Sequence, residues 1–229
     1  MERQRFMNKS KKKMMWIITL VIICCIVMAI IETIIEPAYA LKSAMKVILF
    51  LVVPLVFTKI QSEKIFDNSF VLTGKSVSKL LALGSVIYIV IMGGYFLTKN
   101  FFDYSALVSS LSKDQQVSSG SFIWVALYIS FCNSFLEEIM FRWFAFLKLS
   151  QYTRKSIAYI FSSVVFAVYH VAMIGTSFPI PLLLLALAGL AVGGFIFNYA
   201  DAANKNIYNS WIIHMFADFA IMTIWYIHK

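Results

Sequence analysis

Charge is scarce in this sequence. Only 14% of its 229 residues are Asp, Glu, Lys or Arg, while 61% are hydrophobic. A soluble domain averages about 25% charged and about 45–50% apolar, so a water-soluble chain is excluded. Acidic residues are rarer than basic ones, 11 against 20, giving a net charge of +9. That excess does not imply nucleic acid, because it gathers at segment ends, above all in "MERQRFMNKSKKK", as basic flanks beside anionic lipid do. Cysteine is limited to Cys24, Cys25 and Cys132, all inside apolar segments and with no CxxC or Cys/His spacing. This excludes a disulfide framework and a zinc knuckle, and the three read as small buried hydrophobes. No fixed-period repeat or low-complexity tract occurs, and the apolar runs are long rather than alternating, which excludes a membrane barrel.

What remains is an all-α integral membrane protein, a polytopic bundle of about seven (six to eight) transmembrane helices forming one membrane domain over 1–229. The predicted spans are 15–35, 44–60, 79–97, 122–147, 156–174, 180–199 and 207–227. The second is short and carries Pro54, which predicts a tilted, kinked or re-entrant segment. Residues 1–14 form a basic N-terminus, 15–121 hold the first spans and loops, and 122–227 hold the residues that carry chemistry. The apolar run 15–31 before "AYA" at 38–40 is longer than a signal-peptide core and is interrupted by Glu32 and Glu36, so it reads as a retained anchor ending at those glutamates. Segment 98–121 reads as a polar loop or interfacial helix. Lysine and arginine favour a cytoplasmic N-terminus in the cell membrane, with 1–14, 61–78, 148–155 and 200–206 on the same side. Gly189 and Gly193 form a GxxxG, which predicts a close helix contact. Phe and Tyr read as lipid-facing bulk, and His228 as solvated.

Ionisable groups inside membrane helices are costly and face the bundle interior or a wet cavity. They are few here: Glu137, Glu138 and Arg142 in "LEEIMFR", His170 in "FAVYH", and His214 and Asp218 in "HMFAD". Glu138 and Arg142, Phe166 and His170, and His214 and Asp218 are each spaced i, i+4 on one helix face. Counted from the cytoplasmic helix ends at ~1.5 Å per residue, Glu137, His170, His214 and Asp218 lie about 15, 20, 10 and 16 Å deep. One shared polar cavity would hold them. A carboxylate there can take a proton from water and pass it on, and imidazoles can orient that water or donate to an oxyanion. Arg142 can keep Glu138 charged, leaving Glu137 for proton transfer. Ser134 has no histidine partner in the sequence, so no nucleophilic triad is apparent. Each residue also has a structural reading: Arg142 snorkelling, Glu138–Arg142 as a helix staple, His214–Asp218 as a buried pair, His170 as a lone satisfied histidine. The adjacent glutamates resist it best, because a structural role needs one carboxylate.

Glu137–Arg142 resembles the EExxxR motif of the CAAX-protease and bacteriocin-processing (CPBP, or Abi) family; Phe166–His170 resembles its FxxxH motif. His214–Asp218 falls where that family has His, three residues, then Asn or a related polar residue. The resemblance covers residues 122–227. It implies an intramembrane glutamic endopeptidase with a cavity open toward the cytoplasm. Glu137 would activate water with help from His170, His214 and residue 218 would form the oxyanion site, and Glu138 and Arg142 would support the geometry. No cofactor is expected. The implied partners are the bilayer and a peptide or lipidated protein tail, and bacterial members serve in peptide maturation and bacteriocin self-immunity. Asp218 departs from the Asn of the family: it can donate a hydrogen bond only when protonated, and otherwise it would orient His214.

Other function classes use the same residues. Glu137, Glu138, His170, His214 and Asp218 are competent zinc ligands, although no HExxH clamp is present. A non-catalytic immunity or scaffold protein could share the fold. A proton-coupled transporter also uses intramembrane Glu and His, but would carry paired interrupted helices or internal symmetry.

Overall fold

The computed structural model describes residues 2–63, 68–71, 77–105, 122–175 and 178–228. Seven helices among them are long and apolar enough to cross a bilayer: α1 Met7–Ile35, α2 Tyr39–Ile60, α3 Val77–Thr98, α4 Phe122–Gln151, α5 Lys155–Ile174, α6 Ile180–Ala202 and α7 Tyr208–His228. They coincide with the seven predicted segments, and no strand occurs among the described residues. The protein is all-helical and multi-pass. Lys64, Lys75, Lys113 and most of segment 98–121, from residue 106 on, lie outside the described residues.

Local sequence explains the helix ends. α1 stops where Glu36 adopts a left-handed backbone (φ 43°) and returns its N–H to the Ile31 carbonyl, and Glu32 pairs with Lys42 across the corner at 2.9 Å. Both glutamates therefore mark the end of the first span. Pro54 does not break α2. A wide π turn over Ile48–Val52 runs straight into Val53–Ile60, and the missing N–H of Pro54 falls just after this widened turn.

α4 is the central element. Every residue from Leu136 to Leu149 is buried, as expected for a helix whose whole circumference is enclosed, and α1, α2, α5, α6 and α7 all touch this stretch. The aromatic residues here are core rather than lipid-facing: Phe141, Trp143, Phe144 and Phe146 are at most 1% exposed, and Phe50 and Phe166 are buried against Phe141. Periodicity could not separate them from lipid-facing rings, because both environments are apolar. Cys132 is exposed on the outside of the bundle while Cys24 is buried, so the cysteine reading holds for Cys24 and not for Cys132.

The close contact of α6 also differs from expectation. Gly189 and Gly193 face open space, whereas a Cβ at Gly194 would lie 3.0 Å from the Ser163 Cα of α5. Asn198, one turn on, chooses this face: its amide donates to the Tyr159 carbonyl and the Ser163 hydroxyl, and its carbonyl accepts from Ser162.

One end of the bundle gathers the segments predicted to share a side. Lys13 of α1 binds Glu63 at 2.6 Å, Tyr152 donates to the same carboxylate, and Lys148 lies 3.9 Å from its other oxygen. Ile207 donates to the Ser69 carbonyl, bringing 69–71 to the turn between α6 and α7. Burial, together with the hydrogen bond to Glu63 and its charge, pushes the Tyr152 phenol above its ordinary value. At the opposite end His228 is exposed but not merely solvated: it hydrogen-bonds Tyr95 at 2.9 Å and stacks on Tyr104.

Candidate active site

The buried half of α4 delivers two adjacent carboxylates to the middle of the bundle. Glu137 is 2% exposed and Glu138 is fully buried. A buried carboxylate needs charged or hydrogen-bonding partners, and the two glutamates find different ones.

Glu137 divides its oxygens. Oε1 accepts from Lys46 Nζ of α2 at 2.6 Å and from Asn133 Nδ2 at 3.1 Å, and Asn133 Oδ1 in turn accepts from Lys46 at 2.6 Å. Oε2 faces His170 Nε2 of α5 at 3.8 Å and His214 Nε2 of α7 at 3.9 Å. These two gaps exceed a direct hydrogen bond and suit a single bridging oxygen.

Glu138 turns the other way. Its Oε1 accepts from His214 Nδ1 at 2.7 Å, and its Oε2 lies 3.4 Å from Arg142 Nε. The imidazole of His214 therefore spans the two glutamates, Nδ1 on one and Nε2 toward the other. The Arg142 guanidinium, fully buried, is held between the rings of Phe166 at 4.2 Å and Phe197 at 5.0 Å. Cation–π attraction is strongest where the cation is desolvated, as here.

The ring hydrogens follow from the acceptors. His170 Nδ1 sits 2.8 Å from the Phe166 carbonyl. A carbonyl only accepts, so Nδ1 carries the hydrogen, and in the neutral ring Nε2 offers a lone pair toward Glu137. His214 donates through Nδ1 to Glu138, stacks on Phe197 at 5.0 Å, and has Asp218 Oδ1 at 3.7 Å from its Nε2. Asp218 Oδ2 is buried without a hydrogen-bond partner among the described residues. The His170 and Asp218 side chains, 15% and 19% exposed, are the open edge of an otherwise closed cluster.

All of Glu137, Glu138, Arg142, Phe166, His170, His214 and Asp218 meet in this one cluster, from three helices far apart in sequence. Three members were missed. Lys46 is a formal charge inside a predicted span, the same signal that exposed the others, but it lies only two residues from the start of that span, where charge is ordinary. Asn133 lies one turn before Glu137, on the same face. Phe197 carried no signal, being one apolar residue among many in α6. Ser134 has no histidine partner: its hydroxyl donates to the Ser130 carbonyl and accepts from Trp211.

The cluster has the elements of a hydrolytic centre: a carboxylate oxygen and an imidazole lone pair aimed at one small volume, with a second imidazole and an acid beside it. Among the described residues, no three His, Cys, Asp or Glu side chains are disposed to hold a metal ion, and the ammonium of Lys46 already neutralises Glu137.

Comparison with known proteins agrees with the motifs. Residues 119–220 match the family model described as type II CAAX prenyl endopeptidase Rce1-like. That range contains every predicted site residue and all of the cluster except Lys46. No curated protein and no solved structure matches the chain. Residues 119–220 thus match an Rce1-like CAAX-protease domain, consistent with the CPBP family, within a bundle that has seven membrane-length apolar helices among the described residues.

Proposed function

We propose that this protein is a glutamic intramembrane endopeptidase that hydrolyses a peptide bond of a peptide or lipidated protein tail. The observation that carries this reading is the division of labour at Glu137, with Oε1 tied to Lys46 and Asn133 and Oε2 left toward two imidazoles. A water between Oε2 and His170 Nε2 would give one hydrogen to each and turn its lone pair outward. Its oxygen adds to the scissile carbonyl carbon as its proton passes to Glu137. The carbonyl oxygen becomes an oxyanion facing His214, whose imidazolium form donates from Nε2 while Nδ1 remains on Glu138. Asp218, as a carboxylic acid, adds a second donor from the unpaired Oδ2. Glu137 then returns the proton to the amide nitrogen, the C–N bond breaks, and a carboxylic acid and an amine leave. Each charge that develops meets a preplaced partner.

No metal is required in this scheme. The Lys46 ammonium at 2.6 Å from Glu137 supports that reading, since it disfavours a dication at the same carboxylate. The reading extends to a cytoplasmic N-terminus in the cell membrane, on the strength of the basic residues at that end.

The test is cleavage of peptide and prenylated-peptide libraries by purified protein in detergent or lipid, with the parent beside Glu137→Ala and His170→Ala. Either change should lower the rate at least ~100-fold, as loss of a general base or its helper does. Undiminished cleavage by Glu137→Ala would end the mechanism. Inactivation by a chelator with rescue by zinc would replace it with a metallopeptidase. Biological complementation by Glu137→Ala equal to the parent would make the protein a non-catalytic binding partner.

A further inference from the structure

Lys46 lies outside the matched segment and outside the family motifs, yet it makes the closest polar contacts to Glu137. Its position is over-determined. Nζ donates to Asn133 Oδ1 and Glu137 Oε1, both at 2.6 Å, and lies 5.5 and 5.4 Å from the ring centroids of Phe50 and Tyr169. Those partners come from α4, α2 and α5, and the lysine side chain is only 6% exposed. A flexible four-carbon stem is thereby fixed to one place.

The consequence falls on the carboxylate. The last torsion of a glutamate is broad and roughly two-fold, so an unheld carboxylate presents either oxygen over a wide arc. Here Oε1 carries two donors, and turning the carboxylate out of its present plane breaks both bonds. Oε2 is the oxygen left on the side of His170 and His214. A lysine serving only as counter-charge would not need to select one oxygen, nor to share an asparagine with it.

We infer that Lys46 is a positioning residue: by fixing Oε1 of Glu137, it aims Oε2 at the reacting water. This rests on the proposed peptidase reading. Misplacing a reacting group by an ångström costs on the order of 100-fold in rate, and the loss should appear in kcat because Lys46 does not touch substrate.

The experiment measures kcat and KM for the full-length protein in lipid, as parent, Glu137→Ala, Lys46→Met and Lys46→Arg, with folding checked by thermal melting. Lys46→Met should lower kcat about 100-fold with KM within about threefold, and Lys46→Arg, which keeps a charged donor, should recover at least about tenfold of that. Should Lys46→Met not fold, Asn133→Leu takes its place: removing the amide frees both partners and should lower kcat about tenfold. An inactive parent, or an active Glu137→Ala, defeats the peptidase reading itself. If Glu137→Ala is inactive while a folded Lys46→Met (or Asn133→Leu in its stead) keeps the parent kcat, only the positioning role is overturned. A folded Lys46→Arg no better than Lys46→Met also overturns it.

Discussion

The Arg142–Glu138 pair makes a measurable claim about stability. Replace Arg142 by Met, which fills much of the same volume without charge. At the 3.4 Å separation of Nε and Oε2, Coulomb attraction with an effective dielectric of ~20 is about 5 kcal/mol. The guanidinium also loses its place between Phe166 and Phe197, about 2 kcal/mol for a desolvated cation. Against these stands the cost of burying the guanidinium, several kcal/mol, which the variant no longer bears. The net loss should therefore be about 3–5 kcal/mol, as when one partner of a buried pair is removed. Glu138→Gln should cost a similar amount by stranding Arg142, while keeping an acceptor for His214. The double variant removes both charges and should lie within about 2 kcal/mol of the parent, a coupling of at least about 4 kcal/mol. Unfolding by SDS titration in mixed micelles measures all four proteins. Additive losses, or an Arg142→Met variant within about 0.5 kcal/mol of the parent, would refute the pairing and leave Arg142 as a packing residue.

Other expectations are simpler. Asp218→Asn should keep activity within about threefold if residue 218 serves as a neutral donor, and Asp218→Ala should lose about 100–1,000-fold, since an oxyanion donor contributes on that scale; equal losses in both would assign it to orienting His214 as a carboxylate. Gly194→Ala should destabilise by about 1–3 kcal/mol through its contact with Ser163, while Gly189→Ala and Gly193→Ala should be neutral or slightly stabilising; thermal melting separates them. The raised Tyr152 phenol binds its proton more tightly folded than unfolded, so its contribution is fully present below the unfolded value near pH 10 and is lost as pH rises through the folded one. Tyr152→Phe should then show a smaller alkaline loss of stability than the parent, and equal losses would contradict the clamp.

The spans and six ionisable residues were legible because both signals are local. An apolar run of 20 residues or a charge within it has few explanations in a bilayer. Pairing across helices was less legible. The sequence placed His214 beside Asp218 by spacing, but its shorter contact, to Glu138, joins positions 76 residues apart. Lys46 and Asn133 show the same limit: each lies near a span boundary or among polar neighbours, where a charge or amide is ordinary until a distant partner gives it a role, Glu137 at 91 residues for Lys46 and Lys46 at 87 for Asn133. The aromatic residues of α4 were misplaced for another reason. Lipid and protein interior are alike in polarity, so hydrophobicity alone does not tell a core helix from a peripheral one. Only the fourteen consecutive buried residues Leu136–Leu149, with neighbours on every side, distinguish it.

The salt link from α2 also bears on how this protein could be cut apart. The helices from Phe122 onward hold the two glutamates and both histidines of the centre, yet the ammonium that balances Glu137 arrives from the other half of the molecule. A fragment beginning at the fourth helix would inherit Glu137 with Asn133 and the imidazoles but without its ammonium partner. The first three helices would then act as a missing subunit, and supplying them in trans should restore what truncation removes.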